Sequence, residues 1–259
     1  MRFLLFAACI GCGGTIATGD DAATGDAGAD GPGDVFVDPG FRSSLAFEVV
    51  GHDALFYGVF YASAQAANGS CEQTTSGACA TYTCPSVSSQ MGSSAGTLTL
   101  SINGMAIAKA TPNAPDDTYF ASVLAFSPGD VLGVSGSGAD VPAFAMQTVK
   151  SPGKVTTNVP AAIDTSQDFT LAWSGGEPDA TVIVGIARGV PNGYAGVSCT
   201  FDATAGTGTI PKALLATIQS GAPNGDVIVG QQRKTTFASG AFVTDLVAVQ
   251  SDDSPVDFP

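Results

Sequence analysis

The chain has 259 residues, 44% of them hydrophobic, with 33 Gly and 15 Pro spread along its length. Nine basic against 23 acidic side chains leave a formal charge of −14. That balance excludes a counterion-displacing nucleic-acid surface and attraction to anionic headgroups, while the length admits one large β domain or two of roughly 100 residues.

The N-terminus opens with Met1-Arg2 and an apolar run from Phe3 to Gly11. This run is too short to span a bilayer, which takes about 20 residues, but it fits the apolar region of a secretion signal. Small residues then lead into cysteine in "ACIGCGG", Ala8 to Gly14. Bacterial lipoprotein signals end in this way, at a cysteine that takes the lipid. Two registers exist. Cys12 follows Gly11 after the longer apolar run and is preferred; Cys9, behind Ala7-Ala8, is the alternative. Residues 1–12 therefore read as a lipoprotein signal peptide, and the expected address is the bacterial cell envelope, on the outer membrane. The rival reading is a reactive or zinc-binding Cys-x-x-Cys pair. It lacks the βαβ context of a redox motif and a second ligand pair.

Residues 13–41 are rich in Gly, Ala and Thr. The stretch from Gly13 to Gly40 holds six Asp and no Lys or Arg. Such a composition cannot offset ordering entropy and predicts a disordered acidic linker. Asp26, Asp30 and Asp34 recur every fourth residue, whereas calcium loops place ligands at every second. No metal and no cofactor is expected.

From about residue 42, short β-type runs alternate with turn signals. Leu45–Val50 and Leu55–Ala64 are the first strands, separated by His52-Asp53. Thr97–Ile102 ends at Asn103-Gly104, the strongest short hairpin signal, with Met105–Ala110 as its return. Thr118–Phe126 and Val131–Ser135 follow, joined by Ser127-Pro128-Gly129-Asp130, which has type II turn chemistry. A break at Lys150-Ser-Pro-Gly-Lys154 precedes strands at Phe169–Trp173, Thr181–Ala187, Val197–Phe201, Val227–Gln231 and Phe242–Val249. One helix is expected in "TIPKALLATIQSG". There Pro211 sits at a first-turn position, Leu214, Leu215 and Ile218 share a face, and Gly221 closes it. The fold class is all-β: two immunoglobulin-like β-sandwiches, 42–150 and 151–251, with one short helix and a frayed tail at 252–259. One large sandwich is the alternative.

Several motifs carry a resemblance. "FSPGD" (Phe126–Asp130), "DVPAF" (Asp140–Phe144), "DFTLAW" (Asp168–Trp173), "VSCTF" (Val197–Phe201) and "GTIPKALL" (Gly208–Leu215) resemble segments of uncharacterised lipoproteins from myxobacteria and their relatives. The resemblance covers most of residues 90–250. It implies immunoglobulin-like sandwiches on a lipid anchor and carries no activity.

Cys71, Cys79, Cys84 and Cys199 lie beyond the signal. In an exported chain they predict two disulfides. "CEQTTSGACATYTC" reads as a hairpin with Ser76-Gly77 at its tip. Cys71 and Cys84 then share one face, while Cys79 points the other way. Cys71–Cys84 is the favoured pair, leaving Cys79 and Cys199 to bridge the halves or stay free.

Catalytic signals are thin. His52-Asp53 reads as a polar turn. "GSSAG", Gly92 to Gly96, matches the nucleophile-elbow pattern around Ser94, but that elbow needs a strand before it and a helix after it. The glutamates Glu48, Glu72 and Glu177 nominate no acid pair. Binding is the stronger reading. Tyr57 and Tyr61 share one strand face opposite Phe60 and are the candidate ligand contacts, while Trp173 fills a core. The expected function is a non-enzymatic adhesive or structural module at the cell envelope, held by its lipid and meeting protein or glycan at the surface. A carbohydrate-binding module is the alternative, and a secreted hydrolase comes after it.

Overall fold

The computed structural model describes residues 43–50, 53–61, 72–85, 92–190, 193–218 and 223–259. The signal peptide, Cys9, Cys12, the acidic linker, His52 and Cys71 lie outside these residues.

The described residues are mostly strand. The first half gives β1 (Ser43–Val50), β2 (Asp53–Val59), β3 (Glu72–Ser76), β4 (Cys79–Pro85), β5 (Leu98–Ile102), β6 (Met105–Ala110), β7 (Tyr119–Ser122), β8 (Val131–Gly136) and β9 (Phe144–Lys150). The second half gives β10 (Thr156–Thr157), β11 (Phe169–Ser174), β12 (Thr181–Val190), β13 (Gly193–Asp202), β14 (Thr207–Ile210), β15 (Asn224–Ser239) and β16 (Phe242–Asp257). The helix α1 spans Lys212–Leu215 and runs on as a 3-10 turn over Ala216–Ile218. It buries Leu214, Leu215 and Ile218, the face expected from their spacing.

The turns form where the residues demand them. Asn103 and Gly104 both adopt positive φ, 52° and 79°, as a type I′ hairpin requires. Gly129, at φ 89°, is the third residue of the type II turn, closed by the Asp130 N–H donating to the Ser127 carbonyl at 3.1 Å. The Asp130 carboxylate ties the two turns together. It accepts from the Ser127 N–H at 2.7 Å and from Asn103 Nδ2 at 2.8 Å. These donors hold its carboxyl below the usual aspartate range.

The described strands form three sheets. A nine-stranded sheet runs β3-β4-β13-β12-β15-β16-β1-β2-β7, a three-stranded sheet β10-β11-β14, and a four-stranded sheet β6-β5-β8-β9. Each narrow sheet packs on one half of the wide one. Phe169, Leu171, Trp173 and Ile210 meet Val182, Val184, Ile186 and Val229 in one core. Leu98, Leu100, Leu132 and Val134 meet Leu45, Phe47, Phe56 and Leu246 in the other. Trp173 fills its core as expected, with Nε1 donating to the Ala203 carbonyl at 2.7 Å.

The expected division at 150/151 separates the two cores for most of the chain, but three elements cross it. The β3–β4 hairpin of the first half pairs with β13 through β4. The 16-residue strands β15 and β16 run past both cores. On their inward face, Val227, Val229 and Val256 belong to the first core, and Phe237, Leu246 and Ala248 to the second. Nor is 252–259 a frayed tail. Ser254–Asp257 pair with β15, and Val256 and Phe258 are buried. The ring of Phe258 lies 4.4 Å beneath the Arg188 guanidinium. Alternating inward residues after Gln250 keep the strand going where a polar, Pro-containing sequence suggests fraying.

Between the cores the ribbon carries Gln231 opposite Gln250. Gln231 Nε2 donates to the Gly153 carbonyl at 3.0 Å, and its Oε1 accepts from the Glu177 N–H at 2.8 Å. Gln250 Nε2 donates to Ser151 Oγ at 3.1 Å. The Ser-Pro-Gly break is thereby stapled to the middle of the ribbon. Replacing Gln231 with Leu leaves a buried carbonyl and a part-buried N–H without these partners. We expect a loss of roughly 2–4 kcal/mol in urea-unfolding stability, since each unmet buried group costs about 1–3 kcal/mol.

Candidate functional site

The Gly92–Gly96 loop is fixed by backbone bonds rather than poised for attack. Tyr119, buried on β7, accepts the Ala95 N–H at 2.7 Å and donates to the Gly96 carbonyl at 2.9 Å. Asp140 accepts the Ser94 N–H at 3.2 Å, and Ser94 Oγ accepts the Gly96 N–H at 3.1 Å. The serine hydroxyl thus closes its own local turn, and a strand, β5, follows rather than a helix. This is a loop anchor, not a nucleophile elbow.

The acids are likewise dispersed. Asp53 opens β2 in solvent. Glu177 sits in the β11–β12 loop, where Oε1 accepts from the Gly153 N–H at 3.0 Å and Oε2 pairs with Arg233 at 2.8 Å. Glu48 lies on β1, away from both. Among the described residues, no group of three His, Cys, Asp or Glu is placed to hold a metal ion.

Cys79 and Cys199 form a disulfide across β4 and β13, at directly opposed positions. Both face the first core. The bond joins the two halves of the sequence, one of the outcomes left open by the spacing. The hairpin tip is Gly77-Ala78 rather than Ser76-Gly77, with Ser76 opposite Cys79. The shift moves β3 two residues along β4, and an even shift preserves the faces. Of the favoured Cys71–Cys84 pair, Cys71 lies outside the described residues.

Glu48 is a buried acid of the wide sheet, as is Asp245 of β16. It is 8% exposed on β1 and faces away from the second core, in register with Val249 of β16 and Leu55 of β2. Ser251 Oγ lies 3.3 Å from its Oε1 and donates there or to the Val49 carbonyl. Desolvation raises its carboxyl above the ordinary value of 4.5, and the Ser251 bond offsets this only in part.

The aromatic candidates divide. Tyr57 is half-buried on β2, and its hydroxyl is shifted upward, first by burial and then by the charge of Asp116. Tyr61 lies beyond the strand end, its N–H donating to Ser43 Oγ at 3.1 Å. In the sheet register Tyr57 stands opposite Ala46 of β1 on one side and Phe120 of β7 on the other, and Phe120 is 45% exposed. Sequence reasoning did not single out Phe120, because strand alternation alone does not reveal that β7 lands beside β2 at a sheet edge. Tyr82 and Tyr194, in edge contact at 6.1 Å between β4 and β13, are a second pair that only the pairing brings together.

Neither a protein-family model nor a curated protein matches this chain.

Two measurements follow from the site chemistry. Replacing Cys79 and Cys199 with Ala removes a link spanning 120 positions; we expect a loss of roughly 3–5 kcal/mol by denaturant titration. For Glu48, the folded state favours the protonated form. Its contribution is fully present below the unfolded value near 4.5 and fades as pH rises through the higher folded value. Glu48→Gln stays neutral, so its stability advantage over the parent should grow as pH rises from about 4.5 and level off above the folded value. An advantage that is constant with pH would remove the assignment.

Proposed function

We propose that this chain is an exported, lipid-anchored, non-enzymatic module of the bacterial cell envelope, adhesive or structural in role. The observation that carries the reading is the Cys79–Cys199 disulfide, buried in a core and joining distant parts of the sequence. Structural disulfides form and persist in oxidising compartments and are rare in the cytosol. The "ACIGCGG" segment supplies a matching address, with Cys12, or else Cys9, as the lipid-bearing residue on the outer membrane. The resemblance to myxobacterial-type lipoproteins with immunoglobulin-like sandwiches fits an all-β scaffold. Work at such a site comes from surface complementarity: a rigid double-cored body presenting side chains to protein or glycan.

The reading is tested in the native bacterium by fractionation with and without globomycin, and with Cys12→Ala. We expect a membrane-associated parent chain and a released or unprocessed one in both perturbed cases. Unchanged membrane association, with no acyl group on Cys12 or Cys9 by mass spectrometry, would falsify it.

A further inference from the structure

The outward side chains of β2 and β7 make a strip at one edge of the wide sheet. Tyr57 stands opposite Phe120, and Leu55 opposite Ser122. The Val123 N–H donates to the Ala54 carbonyl at 3.0 Å. This carries the same register one pair further, so that Asp53 comes beside Leu124. Leu124 is 65% exposed and Phe120 45%. Two steps of two residues give a strip about 14 Å long at strand spacing. One end is walled where the Gly92 N–H meets the Asp116 carbonyl at 2.7 Å. The Asp116 carboxylate accepts from Thr118 there, and its charge reaches the Tyr57 hydroxyl. The other end, at Asp53 and Leu124, faces solvent.

We propose that this strip binds a neutral glycan chain laid along β7, with Phe120 and Tyr57 as stacking platforms and Asp53 and Asp116 as hydroxyl acceptors. The proposal rests on the exported-module reading only in supposing that the strip meets envelope or extracellular polymers. Three features select a neutral glycan. A pyranose ring has an apolar C–H face that matches an exposed phenyl ring and a rim of hydroxyls that match carboxylates. A protein partner needs about 800 Å² on each side for a stable contact, more than two aromatics and two leucines at a sheet edge supply. A chain of net charge −14 repels polyanions, so it favours neutral over acidic glycans.

The test is affinity electrophoresis of the full chain through gels cast with neutral polysaccharide (xylan, mannan or laminarin) or with polygalacturonate. We expect retardation in at least one neutral gel, none in polygalacturonate, and loss of most of the retardation in Phe120→Ala. Asp116→Asn should weaken it, while Met105→Ala, an exposed residue on the four-stranded sheet, should leave it unchanged. Phe120 is exposed, so its removal should leave the melting temperature near that of the parent. Equal retardation of Phe120→Ala, or no neutral gel that retards the parent, overturns the proposal. So does cell adhesion that depends on Phe120 without any glycan retardation, which assigns the strip to a protein partner. The mobility is read on purified chain, so it can succeed or fail independently of the fractionation result.

Discussion

The paired amides of Gln231 and Gln250 set the plan of this molecule. They sit opposite one another in the middle of a ribbon whose two ends serve different cores. An apolar residue at either position would let the two cores merge or the ribbon slip. A slip of two residues would keep every side chain on its proper face, so alternation alone cannot forbid it. It would, however, drive a primary amide among Val229 or Ala248 and away from Gly153, Glu177 and Ser151. The cost of unmet buried polar groups thus fixes a register that apolar packing leaves open.

The same constraint explains the Lys150–Lys154 break. A segment with Ser, Pro and Gly has backbone groups to satisfy where it crosses from one narrow sheet to the other. Gln231 meets that need from the wide sheet by donating to the Gly153 carbonyl, and Gln250 donates to the Ser151 hydroxyl. Glu177 adds the Gly153 N–H and pairs with Arg233, so the β11–β12 loop joins the same knot. The Cys79–Cys199 bond acts at the far side of the first core. It fixes the β3–β4 hairpin, an excursion of the first half, onto a strand of the second.

Local chemistry was legible in the sequence, and the sharing of elements was not. Asn103-Gly104 and Ser127–Asp130 form the turns their residues call for, α1 buries its expected face, and Trp173 is a core residue. These depend on neighbours within a few positions. The sequence pattern marks β15 only over Val227–Gln231, because Gln232, Arg233 and Lys234 hide the inward alternation that continues through Thr235 to Phe237. The C-terminal strand was hidden in the same way by Asp252, Asp253 and Pro255. Tyr57 stands out within its own strand, but Phe120, opposite it in the sheet, comes from a strand more than 60 positions later. Glu48 gave no signal at all, since its burial follows from β1 lying between β2 and β16.

That placement bears on where chemistry is free to act. The inward face of the wide sheet is committed to two cores, and β1 is buried on both faces along its whole length. At the β7 edge the sheet ends in a strand of only four residues. Short edge strands with nearby charges resist pairing with further strands, and here Asp53 and Asp116 supply charge of one sign on a chain already acidic. An edge protected in this way can leave Phe120 and Leu124 in solvent without inviting edge-to-edge aggregation. Exposed apolar side chains then persist at a position where acids also stand, and that combination suits a polar ligand with an apolar face better than it suits another sheet.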